Sequence, residues 1–272
     1  MAHDYIEFHS QHGEDKWIAN NIKNLPDKGF FIDIGAASAI FRNNTYHFEK
    51  NGWDGVCIDA DPHWFLTEKE HEKYSPKLGI DQGYHLDDTV EFEGVTRKSA
   101  NFIKCWDQIV GNDDHVMTRK LPGGYCQSLR EYRKYYINIA IGIEEKMVDF
   151  CVVDRHSLSH ISGSSDSQVI TDRHANILQT RQIQQKTLDS IMEEYSINHI
   201  DLLSIDAEGN DIDIWNTFNH EKYSVSVLII EHYHFDEKDF QNEINLFGKY
   251  ELVKKTKVNH IYAHSSMQIA KK

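Results

Sequence analysis

The sequence predicts an α/β protein with a doubly wound, mainly parallel sheet and an antiparallel hairpin at its C-terminal end. Short apolar runs of strand length alternate along the chain with stretches that repeat apolar residues every three or four positions. This order is typical of strands and helices that cover one sheet on both faces. The segment 250–264 instead alternates around Lys257 to Asn259, as two antiparallel strands joined by a turn would.

The composition bounds the class of protein and its partners. The chain of 272 residues is 40% hydrophobic and 26% charged, which is ordinary for a globular protein and excludes collagen-like or wholly disordered chains. A formal net charge of −14 argues against nucleic acid or an anionic membrane as a partner. No repeat or linker divides the chain, so we predict one domain over 1–272, with a helical segment at about 1–28 and an insertion at about 74–136.

Cysteine usage and hydropathy predict a cytoplasmic protein. The four cysteines form neither a CxxC pair nor a metal-ligand spacing, and we interpret them as reduced thiols. The longest apolar runs are far shorter than the ~18 residues of a membrane span. The polar first 15 residues do not resemble a signal peptide. The sequence leaves the oligomeric state open.

The first elements predict a βαβ unit. An N-terminal helical stripe precedes a buried strand over 30–34, a short helix over 45–50 and a second buried strand over 55–59. The pattern then loosens, with one helix expected at 100–110 and strands at 136–141 and 147–153. A loop over 155–173 has no hydrophobic period and could form a lid.

The later framework is clearer, and it predicts three helices and four strands. Helical stripes run through Leu188 to Tyr195, through Ile212 to Phe218, and through Phe240 to Phe247. Buried strands are expected at 200–205 and 225–230, followed by the two strands of the hairpin.

The first candidate site follows the strand over 30–34. Asp33 and Gly35 stand at its carboxyl end, where open α/β sheets bind ligands. An acidic side chain at the end of the next strand can accept hydrogen bonds from both ribose hydroxyls, and Asp59 is our first choice for it, with Asp61 second. The turn lacks the GxGxxG pattern, which disfavours diphosphate binding. A tight turn with a helix cap would show the same residues.

The second candidate site lies after the strands at 200–205 and 225–230. Asp206 and Glu208 are two apart at one strand end, and Glu231 and His232 end the neighbouring strand. We predict that Asp206, Glu208 and His232 are catalytic, because an imidazole or a carboxylate can take a proton from an acceptor hydroxyl. The same three residues could hold a divalent metal, which we do not favour because the spacing does not specify metal geometry.

A basic and aromatic stretch interrupts the acidic chain between 119 and 136. Its cations would suit a phosphorylated or glycosylated acceptor, with rings packing on sugar. A solvated amphipathic helix is the alternative interpretation. The candidate substrate residues are Arg119, Lys120, Arg130 and Arg133.

Several segments together resemble the FkbM-type branch of the S-adenosylmethionine-dependent methyltransferases. They are 10–15 (SQHGED), 31–36 (FIDIGA), Asn44-Thr45, 52–62 (GWDGVCIDADP), 138–142, 187–190 and 201–211 (DLLSIDAEGND). The resemblance implies a class I (Rossmann-like) methyltransferase fold that binds S-adenosylmethionine. The residues that it places at the cofactor are Gln11, Asp33, Gly35, Ala36, Asn44, Thr45, Asp59 and Asp61.

One departure from the family pattern affects the first turn, which has Ala37-Ser38-Ala39 where related sequences usually have a further glycine. The resemblance implies methyl transfer to a hydroxyl of a small-molecule, glycan or sugar-phosphate acceptor. The main alternative is a binding or scaffold protein that has the same fold but does not catalyse methyl transfer. A nicotinamide-dependent oxidoreductase is a second alternative, against which the missing glycine counts.

Overall fold

The computed structural model describes residues 8–36, 43–60, 135–137, 139–153, 159–163, 177–232 and 237–270, and the strand segments 89–92, 95–98 and 116–118. Helices within these ranges are α1 (Glu14–Asn21), α2 (Tyr46–Lys50), α3 (Leu188–Glu194), α4 (Asp211–Thr217) and α5 (Glu237–Glu243). The first seven strands are β1 (Phe30–Ile34), β2 (Asp54–Ile58), β3 (Thr89–Phe92), β4 (Val95–Lys98), β5 (Val116–Thr118), β6 (Tyr135–Ile137) and β7 (Ala140–Ile141). The others are β8 (Lys146–Val153), β9 (His160–Ile161), β10 (Ile177–Lys186), β11 (His199–Ile205), β12 (Ser224–Glu231), β13 (Tyr250–Lys255) and β14 (Asn259–His264).

Eight of the described strands form one mixed sheet in the order β13-β14-β12-β11-β1-β2-β6-β5. The five strands from β12 to β6 run parallel to their neighbours, while β14, β13 and β5 run antiparallel at the two edges. The chain is therefore an α/β protein with a mixed sheet. The predicted antiparallel hairpin at the C-terminal end is confirmed as β13 and β14.

Alternating residues of the central strands pack on opposite faces of this sheet. Ile32, Leu203 and Leu228 pack with residues of α3, α4 and α5 in one core cluster. Their sequence neighbours Phe31 and Leu202 pack with α1 and α2 in a second cluster on the other face. Because side chains of a strand alternate between faces, nearly continuous apolar strands are what a sheet covered on both sides requires.

A second, four-stranded sheet was not predicted from the sequence. It has the order β7-β10-β8-β9, and its longest strand, β10, falls where we expected no regular element. On β10, Ile183 faces a small core formed with Ala140, Val148 and Phe150, whereas Gln182 on the opposite face is exposed. The strand escaped detection because four of its ten residues are glutamines, so its alternation of apolar and polar residues is weak.

Local capping explains one of the segments that resembles a known family. Thr187 precedes α3, and its hydroxyl accepts a hydrogen bond from the backbone N–H of Ser190, while the Ser190 hydroxyl accepts one from the backbone N–H of Thr187. This reciprocal capping box satisfies N–H groups that the first turn of a helix leaves without partners. The residues 187–190 therefore define where α3 begins.

Other boundaries differ from the prediction or lie outside the described ranges. α5 ends at Glu243, and Phe247 lies beyond it with a left-handed backbone (φ 52°). The helix expected at 100–110 falls in a part of the chain that the structure does not describe, as does most of the insertion at about 74–136 and of the loop 155–173. None of the described helices is long and apolar enough to cross a membrane.

Candidate active site at the carboxyl edge of the parallel strands

The carboxyl ends of the parallel strands are aligned in one row of isoleucines. These residues are direct neighbours in the strand registers: Ile137, Ile58, Ile34, Ile205 and Ile230. The next residue on four of the strands is Asp59, Gly35, Asp206 or Glu231. Adjacent strands lie about 4.8 Å apart, so these four positions form one edge of the sheet.

Gly35 and Asp206 stand at the point of this edge where the chain order reverses. β2 follows β1 on one side, and β12 follows β11 on the other. Gly35 has φ +70°, and a Cβ built on it would overlap the carbonyl oxygen of Asp206. The Asp206 N–H donates a hydrogen bond to the carbonyl oxygen of Ile34 (3.0 Å). The two backbones therefore touch, and only glycine allows this approach.

Asp33 is buried and holds the loop that leads into α2. Its carboxylate accepts hydrogen bonds from the Thr45 hydroxyl (2.8 Å) and from the side-chain amide of Asn43 (3.0 Å). Asn43 also accepts hydrogen bonds from the backbone N–H groups of Thr45 (3.0 Å) and Tyr46 (2.7 Å). These contacts give Asp33 and Thr45 a structural role at the site, and Asn43 is an organising residue that the sequence did not reveal.

Asn44 and Ala36 lie on either side of the same loop. The Asn44 side-chain amide donates to the hydroxyl of Ser204 on β11 (3.1 Å), which anchors the loop across the reversal point. The backbone N–H groups of Gly35 (2.9 Å) and Ala36 (3.2 Å) both donate to the carbonyl oxygen of Ile58. The Asn43 amide also donates to the carbonyl oxygen of Ala36 (3.3 Å), so hydrogen bonds join the described residues 33–36 to those at 43–45.

Asp59 continues the pairing of β2 with β6, because its N–H donates to the carbonyl oxygen of Ile137 (3.1 Å). The carbonyl oxygen of the next residue, Ala60, accepts a hydrogen bond from the guanidinium of Arg181 on β10. No sequence pattern connected Arg181 with this site, because Arg181 lies in the strand that was not predicted.

The loop between β11 and α4 is organised by Asp211. Its carboxylate accepts hydrogen bonds from the backbone N–H groups of Ala207 (2.9 Å) and Gly209 (3.1 Å). Glu208 in between has a left-handed backbone with φ +48°. α4 begins at Asp211 itself. β11 ends at Ile205, so the alternation of strand side chains does not extend to Asp206 and Glu208. The loop after the strand, and not the strand itself, brings Glu208 beside Asp206.

Carboxylates crowd this edge, and they raise the pKa of two of its members, Asp206 and Asp211. Burial, Glu231 and Glu208 raise the pKa of the half-buried Asp206 well above its usual range, and Asp211 and Asp33 add to this effect. Burial and Glu231 raise the pKa of Asp211 to about 7, despite the two N–H donors that lower it. The structure therefore brings Asp206, Glu208 and Glu231 together, as the sequence predicted.

His232 lies at the same edge but packs in an aromatic group. Its ring centroid is 4.0 Å from that of the fully buried His260 and 6.0 Å from that of Phe240. The backbone N–H of His232 donates a hydrogen bond to the carbonyl oxygen of Val258 (2.8 Å). The Nε2 atom is buried and forms no hydrogen bond within the described residues. An acceptor hydroxyl could supply the missing partner.

We compared the chain with models of known protein families, and one of them matches. The model of the methyltransferase FkbM domain matches residues 108–263, which is more than half of the chain. The chain belongs to the FkbM methyltransferase family. Comparison with curated proteins and with solved structures gives no match. The matched region contains β11, β12 and the loop between β11 and α4 (206–210), which we call the acidic loop. β1 and β2 precede the matched region.

The N-terminal segment of this FkbM family member has an evident structural role. Asp15 accepts hydrogen bonds from the N–H groups of His9 (2.5 Å) and Ser10 (3.1 Å). Glu14 accepts them from Thr256 (2.7 Å) and Asn259 (3.0 Å) in the hairpin. Burial opposes ionisation of Glu14, but these donors outweigh it and lower its pKa. The predicted cofactor residue Gln11 is exposed in this segment.

Several predicted site residues of the family member fall outside the described ranges. These are the cofactor residue Asp61 and the substrate residues Arg119, Lys120, Arg130 and Arg133. Among the residues that are described, no group of three or more His, Cys, Asp or Glu side chains could hold a metal ion. The structure therefore does not join Asp206, Glu208 and His232 into a metal centre.

Proposed function

We propose that the chain is an S-adenosylmethionine-dependent O-methyltransferase with a class I, Rossmann-like fold. The observation that carries this proposal is the meeting of Gly35 and Asp206 at the reversal point of a parallel sheet in a member of the FkbM family. Ligands of open α/β sheets bind in the crevice outside such a point. Helices packed on both faces of the sheet support the doubly wound arrangement.

The charges of the described residues fit this cofactor. The carboxylates around Asp206 raise its pKa, and such a group of negative charges favours a cationic ligand; S-adenosylmethionine carries a sulfonium and an ammonium group. When bound, it supplies an electrophilic methyl group. We infer that the turn held by Asp33, with Gly35, Ala36, Asn44 and Thr45, faces the methionine end, and that Asp59 accepts hydrogen bonds from the ribose.

Asp206 is our first choice for the group that takes the proton of the acceptor hydroxyl. A carboxylate with a raised pKa is a stronger base than an ordinary one, and Asp206 lies beside the reversal point. The charge of Glu208 acts on Asp206 and raises its pKa. His232 has a buried Nε2 atom at the end of the next strand. Holding the acceptor in line with the methyl group would contribute most of the rate.

We propose a small-molecule or glycan acceptor, because the net charge of −14 argues against nucleic acid or an anionic membrane as a partner. A phosphorylated sugar would need the basic stretch 119–136. We also propose that the protein is cytoplasmic. The four cysteines form no CxxC pair in the sequence, which supports a reducing compartment.

The first test replaces the proposed ribose ligand. Asp59→Ala is expected to weaken binding of S-adenosylhomocysteine about 30-fold, because two hydrogen bonds to a carboxylate are lost. The measurement is calorimetric titration of the purified, dialysed protein. Asp59 is preferable to Asp33 here, because replacing Asp33 would also release Asn43 and Thr45.

Asp213→Ala is the matched control for this titration, because Asp213 is an exposed aspartate on the outer side of α4. Its affinity should equal that of the wild type. Equal affinities of the Asp59→Ala and wild-type proteins would show that the ribose assignment is wrong. An absence of binding to the wild type itself would refute the cofactor proposal.

The second test concerns the proton acceptor. Asp206→Asn is expected to lower kcat about 100-fold, because a proton acceptor commonly contributes 10²- to 10⁴-fold. The same change should raise stability at pH values above about 4, the ordinary pKa of an aspartate. A raised pKa in the folded state means that ionisation of Asp206 destabilises the fold as pH rises, and asparagine removes that charge.

These effects are measured by release of S-adenosylhomocysteine over a panel of monosaccharides and sugar phosphates, and by urea unfolding at pH 8. His232→Gln is the companion variant and should lower kcat less. A larger loss for His232→Gln than for Asp206→Asn would assign the proton to the imidazole. Cofactor binding without turnover on any hydroxyl acceptor would favour the scaffold alternative.

A further inference from the structure

Arg181 connects the second sheet with the end of β2. Its guanidinium donates a hydrogen bond to the carbonyl oxygen of Ala60. The guanidinium carbon lies 5.7 Å from the ring centroid of Phe150, which is its direct partner in the antiparallel pair of β8 and β10. A charged donor in a partly buried position forms a stronger hydrogen bond than a neutral one. Arg181 therefore fixes the backbone one residue after Asp59.

Apolar packing holds the same segment from the same side. Ala60 packs against the small core of the second sheet, which consists of Ala140, Val148, Phe150 and Ile183. Residue 59 also remains paired with the main sheet, because the Asp59 backbone N–H donates to the carbonyl oxygen of Ile137 on β6. Residues 59 and 60 are thus clamped between the two sheets.

We propose that Arg181 is a positioning residue for the cofactor, and that it acts through Asp59. By holding the Ala60 carbonyl, it fixes the backbone from which the Asp59 carboxylate is presented to the ribose. This inference rests on the proposed function. It assigns the second sheet a specific task at the cofactor site, which neither the family membership nor the sequence motifs indicated.

The first experiment measures the affinity for S-adenosylhomocysteine of four proteins: wild type, Arg181→Gln, Arg181→Lys and Gln182→Ala. Arg181→Gln should weaken binding about tenfold, since a hydrogen bond from a charged donor is lost. Arg181→Lys keeps one cationic donor and should lose about threefold. Gln182 is exposed on the opposite face of β10, so Gln182→Ala should bind as the wild type does.

A double-mutant cycle separates positioning from a general structural effect. In the Asp59→Ala background, Arg181→Gln should weaken binding less than twofold further, because its target carboxylate is already absent. A role in stability alone would reduce affinity by the same factor in both backgrounds. Melting temperatures of the variants are compared in the absence of ligand.

The outcomes distinguish this inference from the proposed function. Wild-type binding with an unchanged affinity in Arg181→Gln would overturn the positioning role and leave the methyltransferase proposal intact. Additive losses in the cycle would do the same. An absence of wild-type binding would refute the cofactor proposal, and this inference with it.

Discussion

Replacing Gly35 with alanine is expected to lower the free energy of unfolding by about 3 kcal/mol and to abolish binding of S-adenosylhomocysteine. Two costs combine in this variant. Alanine in the left-handed region costs about 1–2 kcal/mol, and the new Cβ must displace the Asp206 carbonyl, which adds an overpacking cost of about 1–3 kcal/mol. The displacement separates β1 and β11 at the reversal point. Urea unfolding and calorimetric titration measure the two effects.

Gly248→Ala is the matched control, because it isolates the backbone cost from the close approach. Gly248 has a similar φ of +64°, yet a Cβ on it would meet no atom within 4 Å. It should lose only about 1 kcal/mol and retain full ligand affinity. Equal stability losses in the two variants would mean that the contact with Asp206 contributes nothing beyond the strained φ.

Trp215→Ala is expected to cost about 4 kcal/mol of folding free energy. Trp215 on α4 is fully buried, and its ring lies 4.3 Å from His220 and 5.0 Å from Tyr250, centroid to centroid. Its Nε1–H donates to the carbonyl oxygen of Asn245 (2.8 Å). The loss should extend to the site, because α4 carries Asp211, which organises the acidic loop.

Trp215→Phe divides this cost into its two parts. Phenylalanine keeps most of the apolar contact but leaves the Asn245 carbonyl without its donor, so we expect a loss of about 2 kcal/mol. Urea unfolding monitored by far-ultraviolet circular dichroism measures both variants. A loss below about 1 kcal/mol for Trp215→Ala would mean that the pocket collapses around the missing ring.

The central parallel strands and the C-terminal hairpin could be predicted because their burial leaves a direct mark on the sequence. β1 is apolar at four of its five positions, and β11 and β12 are apolar over most of their lengths. Such runs have few alternatives to a buried strand. β10 was missed because one of its faces is exposed and glutamine-rich, and the second sheet was missed with it.

The position of the candidate site on the sheet could be predicted from the sequence, but the hydrogen bonds that hold its residues could not. Strand ends indicated that Asp33, Asp206 and Glu231 lie at one edge of the sheet, because parallel strands align their carboxyl ends. The contacts of Asn43 and Arg181 depend on how distant segments meet, and spacing along the chain contains no record of that. Residues that resembled functional motifs, such as Thr187 and Asp211, proved to hold turns and helix ends together.

The second sheet begins and ends at adjacent positions. β7 pairs in parallel with the last residues of β10, so that Ile141 lies beside Lys186, and the Gly142 N–H donates to the Lys186 carbonyl (3.0 Å). Chain length can therefore change between β9 and β10, from Gly163 to Ile177, without moving the points where the polypeptide leaves and rejoins the framework. We expect homologues to differ in length between these two strands, while the residues at the carboxyl edge of the main sheet keep their positions.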